Sequence, residues 1–116
     1  MVVGLCEMTM RLRQVRSLKD KRRAVRQVVE RAKSRFEISI AETGANDSLR
    51  NALIGFSFVS NDSRNVESTI DRVLFFIREL HVAEIIEVDR EVVHWEGPWG
   101  DGLLTLADLP ATNEEA

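Results

Sequence analysis

The chain has 116 residues, 44% hydrophobic and 30% charged, which is enough for one buried core and too few for two ordinary domains. No apolar run approaches the roughly 20 residues that a bilayer-spanning helix needs, and no basic segment leads into an apolar one at the N-terminus, so a soluble, cytoplasmic protein without membrane contact is expected. The formal net charge of −3 conceals a division: residues 1–35 hold 11 of the 16 Lys and Arg against three acids, a balance of +8, while the remainder carries 5 bases and 16 acids. Such a division either draws an anionic partner to the first third of the chain or is neutralised within the fold by the acidic remainder.

Residues 2 to 12 alternate, with Gly4, Cys6, Met8, Met10 and Leu12 on one side and Leu5, Glu7, Thr9 and Arg11 on the other, the period-two pattern of a half-buried strand. Cys6 is the one cysteine of the chain and reads as a small buried hydrophobe without a disulfide partner. After a basic connection, Ser17 caps a helix running from Leu18 to about residue 35, and Asp20, three residues on, is placed to return a capping-box bond. Leu18, Val25, Val28, Val29, Ala32 and Phe36 mark its apolar side; Lys19, Arg23, Arg26 and Glu30 lie opposite. Phe36, Ile38 and Ile40 alternate into a second strand that ends near Glu42 or Thr43, and residues 44–48 are a turn or loop.

Ala52 to Ser60 reads as a third strand with two apolar faces and hence a central place in the sheet. Asp62 caps a second amphipathic helix, from about Ser63 to Leu80, whose inward residues are Val66, Ile70, Val73, Leu74, Ile77 and Leu80. Ile86, Val88 and Val92 alternate with Glu87, Asp89 and Glu91 in a fourth strand, residues 84 to about 93, with an acidic outer face. The order βαββαβ predicts an α+β, ferredoxin-like sandwich: a four-stranded antiparallel sheet of order 4-1-3-2 with both helices on one face. Strand four would then lie beside Glu7, Thr9 and Arg11, where cross-strand charge pairing is expected. Residues 1–95 form this domain; residues 96–116, beginning at the Gly97-Pro98-Trp99-Gly100 break, form a partly flexible tail docked by Trp95, Trp99 and the apolar patch 103–109.

No nucleophile elbow, HExxH, Gly-rich phosphate loop or metal-ligand spacing occurs, so no catalytic residue, metal or cofactor is implied. His81 and His94 lack ligand partners, and the acids Glu84, Glu87, Asp89 and Glu91 read as a solvated strand face. The strongest charge feature is the start of the first helix, where Lys19, Lys21, Arg22 and Arg23 face the positive end of the macrodipole, unfavourable by about 0.3 to 1 kcal/mol each. Ser17, Lys19, Lys21, Arg22, Arg23 and Arg26 are the candidate RNA- or anion-binding residues; the competing reading is a solvated face, or cations paired with acids of the later chain. The segment Ile54-Gly55-Phe56-Ser57-Phe58-Val59-Ser60 is a partial match to the RNP1 strand of RNA-recognition motifs, without its leading base or final aromatic. If Phe56 and Phe58 face away from the helices they stack bases or meet a second subunit, and if they face inward they are core. Leu5, Phe56, Phe58 and Phe75 are the candidate interface residues of a homodimer. No motif that reads DNA sequence is present.

The opening Met1-Val2-Val3-Gly4-Leu5, the box Ser17-Leu18-Lys19-Asp20-Lys21-Arg22, Ala41-Glu42, Gly55-Phe56, Ser60-Asn61-Asp62 with Val66-Glu67, and Ala83-Glu84 leading to Val88-Asp89-Arg90-Glu91 together resemble the YlxP-like family of small bacterial proteins of unknown function. The resemblance covers residues 1 to about 93. It implies a ferredoxin-like fold and a gene neighbourhood of translation-initiation and ribosome-maturation factors, and it supplies no catalytic residues. The expectation from residues and resemblance together is a non-enzymatic protein that meets RNA or the ribosome through the basic helix. The alternative is a homo-oligomerising interaction module using the outer sheet face. An enzyme or small-anion sensor built on Ser17 is a distant third.

Overall fold

The structure is a computed structural model that describes residues 1–45 and 47–97. Six elements follow in the order β1 (Val2–Leu12), α1 (Leu18–Arg35), β2 (Ser39–Gly44), β3 (Asn51–Ser60), α2 (Ser63–Glu79) and β4 (Ala83–His94). The four strands form one antiparallel sheet of order β2-β3-β1-β4, and both helices pack on one face of it, as the periodicities predict. Trp99, the patch 103–109 and the expected docking of a tail beyond residue 97 lie outside the described residues.

The core is the meeting of three stripes. Cys6, Met8, Met10 and Leu12 of β1 and Ala52, Ile54 and Phe56 of β3 point to the helices. Val25, Val28 and Ala32 descend from α1, and Val66, Ile70, Val73, Leu74 and Ile77 from α2. At Gly4 the strand lies close under Val66 of α2. A Cβ there would lie 2.7 Å from the Phe58 ring and 2.9 Å from Val66, so only a residue without a side chain lets strand and helix approach this far.

Both helix starts are capped as the sequence suggests. Ser17 Oγ accepts the Asp20 N–H at 3.1 Å, and Asp62 Oδ1 accepts the Arg64 N–H at 3.0 Å. The Asp20 carboxylate, however, accepts from the Arg16 N–H rather than from the cap residue itself, at 3.2 Å. Leu18, placed on the apolar stripe by spacing, is 45% exposed, while Lys21 of the same turn is buried.

Three other expectations are corrected. First, β2 starts at Ser39 and not at Phe36: the Phe36 N–H is already bonded to the Ala32 carbonyl as the helix C-cap, so pairing with β3 begins at Ser39 opposite Ser57. Second, Ile86 does not face the core. The register between β1 and β4 slips between Thr9 and Met10, leaving Ile86 at a bulge while Ile85, opposite Met10, takes the inward place. Third, β4 forms no charge pair with β1. Asp89 lies opposite Glu7 and Glu87 opposite Thr9, and Arg11, though opposite Glu84, forms no ion pair with it. The ion pairs of β4 are on the helix side, where Arg90 bonds Asp71 at 2.9 Å and Glu67 at 3.1 Å on α2.

Candidate functional site

The fold separates charge by layer. Residues 18–35, which form α1, carry eight Lys and Arg against Asp20 and Glu30. β4 carries Glu84, Glu87, Asp89 and Glu91 against Arg90, which points away from that face toward α2. A polyanion therefore meets attraction on the helix layer and repulsion on the open sheet face. That face is a shallow trough of about 480 Å³ with a floor of small residues such as Ala41, Gly55 and Ser57 and acidic walls from Glu7, Asp89 and Glu91. Thr43 Oγ1 donates to Glu7 Oε2 at 2.7 Å across the floor. Gly55 leaves room for this crossing, since a Cβ there would stand 2.9 Å from the Thr43 methyl.

Phe56 and Phe58 do not belong to that face. Phe56 is 3% exposed between the sheet and the helices, and Phe58, stacked beside it with ring centroids 6.4 Å apart, is half-buried against the same core. Their inward direction follows from their pairing opposite Cys6 and Gly4, both core-facing. The strand-three stacking platform and the use of these two rings at a subunit interface are thereby corrected. Leu5 does lie on the outer sheet face, and Phe75 is 63% exposed on the far side of α2; the two are in opposite layers and form no common patch.

Among the cations of α1, Lys19, Arg22, Arg23 and Arg26 are all exposed and border one shallow recess of about 280 Å³. Their spacing of three, four and seven residues sets them along a single stripe. The ion pairs among the described residues engage Lys21 and Arg90, and none of these four.

Lys21 is the exception, and its place in the anion-binding set is corrected. It is 2% exposed. Its ammonium donates to the Ala45 and Ser48 carbonyls, at 2.5 and 2.6 Å, and lies 3.4 Å from a Glu42 carboxylate oxygen. A buried ammonium is tolerated only with such partners; Lys21 is a latch that ties the β2–β3 loop to the first turn of α1. Its spacing already carried the signal: Lys21, Val25, Val28 and Ala32 follow one another at helical intervals on the inward face. Ser17 is at the head of the stripe, with its oxygen engaged as the cap.

The other chemistry-bearing groups are quiet. Burial, opposed by the positive charge of Arg90 and aided by the negative charge of Asp89, pushes the Cys6 thiol up to about 11, so it stays protonated at neutral pH. Among the described residues no three His, Cys, Asp or Glu side chains gather as a metal site, and no helix is long and apolar enough to cross a membrane.

A family profile described as "Protein of unknown function (DUF503)" matches residues 3–90. The chain is also 30% identical over 76 residues to "Uncharacterized protein YlxP" of Bacillus subtilis (strain 168), an alignment spanning 66% of this chain and 83% of that protein.

Proposed function

The chain belongs to the DUF503 family, whose function is unknown, and from that premise we propose that it is a non-enzymatic RNA-binding protein, working on the ribosome or its precursor, that grips phosphates with the α1 stripe Lys19, Arg22, Arg23 and Arg26. The observation that carries this reading is the stripe itself: four exposed cations in the first half of a helix, with no ion-pair partner among the described residues. The helix dipole disfavours a cation in the first turn, where Lys19 sits, so that charge is not there for helix stability. A phosphate backbone supplies the countercharge that the described residues do not. The acidic trough on the other layer orients such a ligand by repelling it from the sheet. The ribosomal setting rests on the gene neighbourhood implied by the YlxP-like resemblance.

A binding role is favoured over catalysis because the described residues assemble no nucleophile, base and orienting group together: the Thr43 hydroxyl meets the Glu7 carboxylate, and no further described side chain bonds that carboxylate to orient it. Cys6 is buried and protonated, and the Ser17 oxygen is spent on the cap. Self-association through the outer sheet face is the weaker reading: an isologous dimer would set this face, with its Glu7, Asp89 and Glu91 carboxylates, against the same acidic face of a second copy. The test is recovery of RNA by the tagged protein from a bacterial lysate across a salt series. Ribosomal RNA that is lost with salt, and lost with Arg22→Glu and Arg26→Glu, supports the reading. Recovery of one protein partner indifferent to RNase replaces it with a protein-interaction module.

A further inference from the structure

At one end of the sheet three connections meet: residues 13–17, the described residues 45 and 47–50, and residues 80–82, which adjoin the strand ends Leu12, Asn51 and Ala83. Each holds, among the described residues, one non-glycine residue in the left-handed backbone region, Gln14 at φ 57°, Ala45 at φ 60° and His81 at φ 56°. Such residues cost of order 1 kcal/mol or more each and persist where the surroundings hold them in place. Here the surroundings are built for that. The Lys21 ammonium pins the Ala45 and Ser48 carbonyls, Ser48 Oγ accepts the Asn51 N–H at 3.1 Å, and the Leu12 N–H donates to the Arg50 carbonyl at 2.7 Å. A buried ammonium is an expensive anchor for a loop that contributes little to the core.

What the anchored loop does is bring Arg50 to Arg11. The two exposed arginines, 39 positions apart in the chain, line one open groove of about 660 Å³ together with Gln14, Leu49 and Asn51. Neither forms an ion pair with a described residue, although Glu84 faces Arg11 across the β1–β4 ladder. Two guanidinium forks on a fixed backbone suit a phosphate, whose oxygens accept paired N–H bonds. The groove also touches Val15, in the connection that leads directly into Ser17 and Lys19, so it continues the cationic stripe around the end of the fold.

We propose that the Arg11–Arg50 groove is a second phosphate-binding site, which holds a backbone phosphate of the same RNA that lies along α1. The inference rests on the RNA-binding reading and extends it: the bound strand turns the end of the molecule instead of crossing the helix alone. Gln14 supplies a side-chain amide at the groove wall, and Lys21 is a positioning residue that acts through the loop it holds.

The test uses the full chain and two probes. A fluorescein-labelled oligouridylate, titrated at low salt, should bind Arg11→Gln/Arg50→Gln about tenfold or more weakly than the parent, with the slope of log K against log salt reduced by about one or more. Sodium pyrophosphate, followed through the arginine Nε–Hε signals by NMR, should shift Arg11 and Arg50. Both substitutions are at exposed positions, and an unchanged amide spectrum verifies the fold. Parent-like oligouridylate binding by this double variant, alongside weakened binding by Arg22→Gln/Arg26→Gln, would overturn the groove and leave the stripe. If oligouridylate is not bound at all, the RNA reading fails, and the groove is then judged on pyrophosphate alone: shifts at Arg11 and Arg50 retain it as a phosphate site, and unmoved signals remove it.

Discussion

Lys21 and Glu42 face each other 3.4 Å apart across the junction of α1 with β2, and of the two only the lysine is fully buried. The asymmetry sets what each contributes. Replacing Lys21 by Met keeps the stem but strands the Ala45 and Ser48 carbonyls and the Glu42 carboxylate. A loss of about 3 kcal/mol is expected, read as a lower urea midpoint with an unchanged m-value. Glu42→Gln, at a side chain one-quarter exposed, should cost about 1 kcal/mol or less. Equal losses would mean that the ion pair, and not the carbonyl latch, is the larger contribution.

Gly4 makes a prediction about packing. A methyl group there would collide with the Phe58 ring and Val66, so Gly4→Ala should destabilise by about 1 to 3 kcal/mol despite the better strand propensity of alanine. Gly4→Ala combined with Phe58→Leu should recover part of the loss. Full stability of the single variant would show that α2 can move away from β1 at little cost.

Cys6 predicts a pH dependence. Its thiol rises from an ordinary value near 9 to about 11 in the folded protein, so the native state holds the proton more tightly than the unfolded chain does. The corresponding stability is full below pH 9 and is lost as pH climbs from about 9 toward 11, a change of about 2 to 3 kcal/mol. Cys6→Ala should lack this part of the alkaline decline. At pH 8 the native thiol should react with a disulfide reagent only as fast as the protein unfolds.

The outer sheet face predicts an oligomeric state. With Glu7 opposite Asp89, and Glu87 and Glu91 alongside, self-docking of that face is repulsive at neutral pH. Sedimentation velocity at high micromolar concentration should show a monomer, unchanged by Leu5→Ser. A dimer that dissociates on that substitution would restore the interaction-module reading.

Much of this architecture was legible in the residues because each element has one apolar face of the right period. The β1 alternation, the Ser17 and Asp62 caps and the α2 stripe led to the observed sheet order without further information. Where reading failed, a three-dimensional partner had overruled a local pattern. Ile86 lost its inward place to a bulge that depends on β1, and Phe36 spent its N–H on the helix before it. Lys21 borders the apolar stripe by spacing, but its sequence neighbours do not show the Ala45 and Ser48 carbonyls and the Glu42 carboxylate that hold it inside. Phe56 and Phe58 were ambiguous because both faces of β3 are apolar; only their pairing with Cys6 and Gly4 decides the side. Arg11 and Arg50 could not be associated from sequence, since the β1–β3 register and the Lys21 latch bring them together.

Binding of RNA phosphates by the exposed cations of α1 is tested by the salt dependence of oligouridylate binding to the parent and to Arg22→Glu/Arg26→Glu, followed by fluorescence anisotropy. Log K should fall linearly with log salt for the parent, and charge reversal should weaken binding by at least about tenfold while lowering the slope by about two. Binding that is indifferent to salt, or equally tight in the reversed variant, would contradict it.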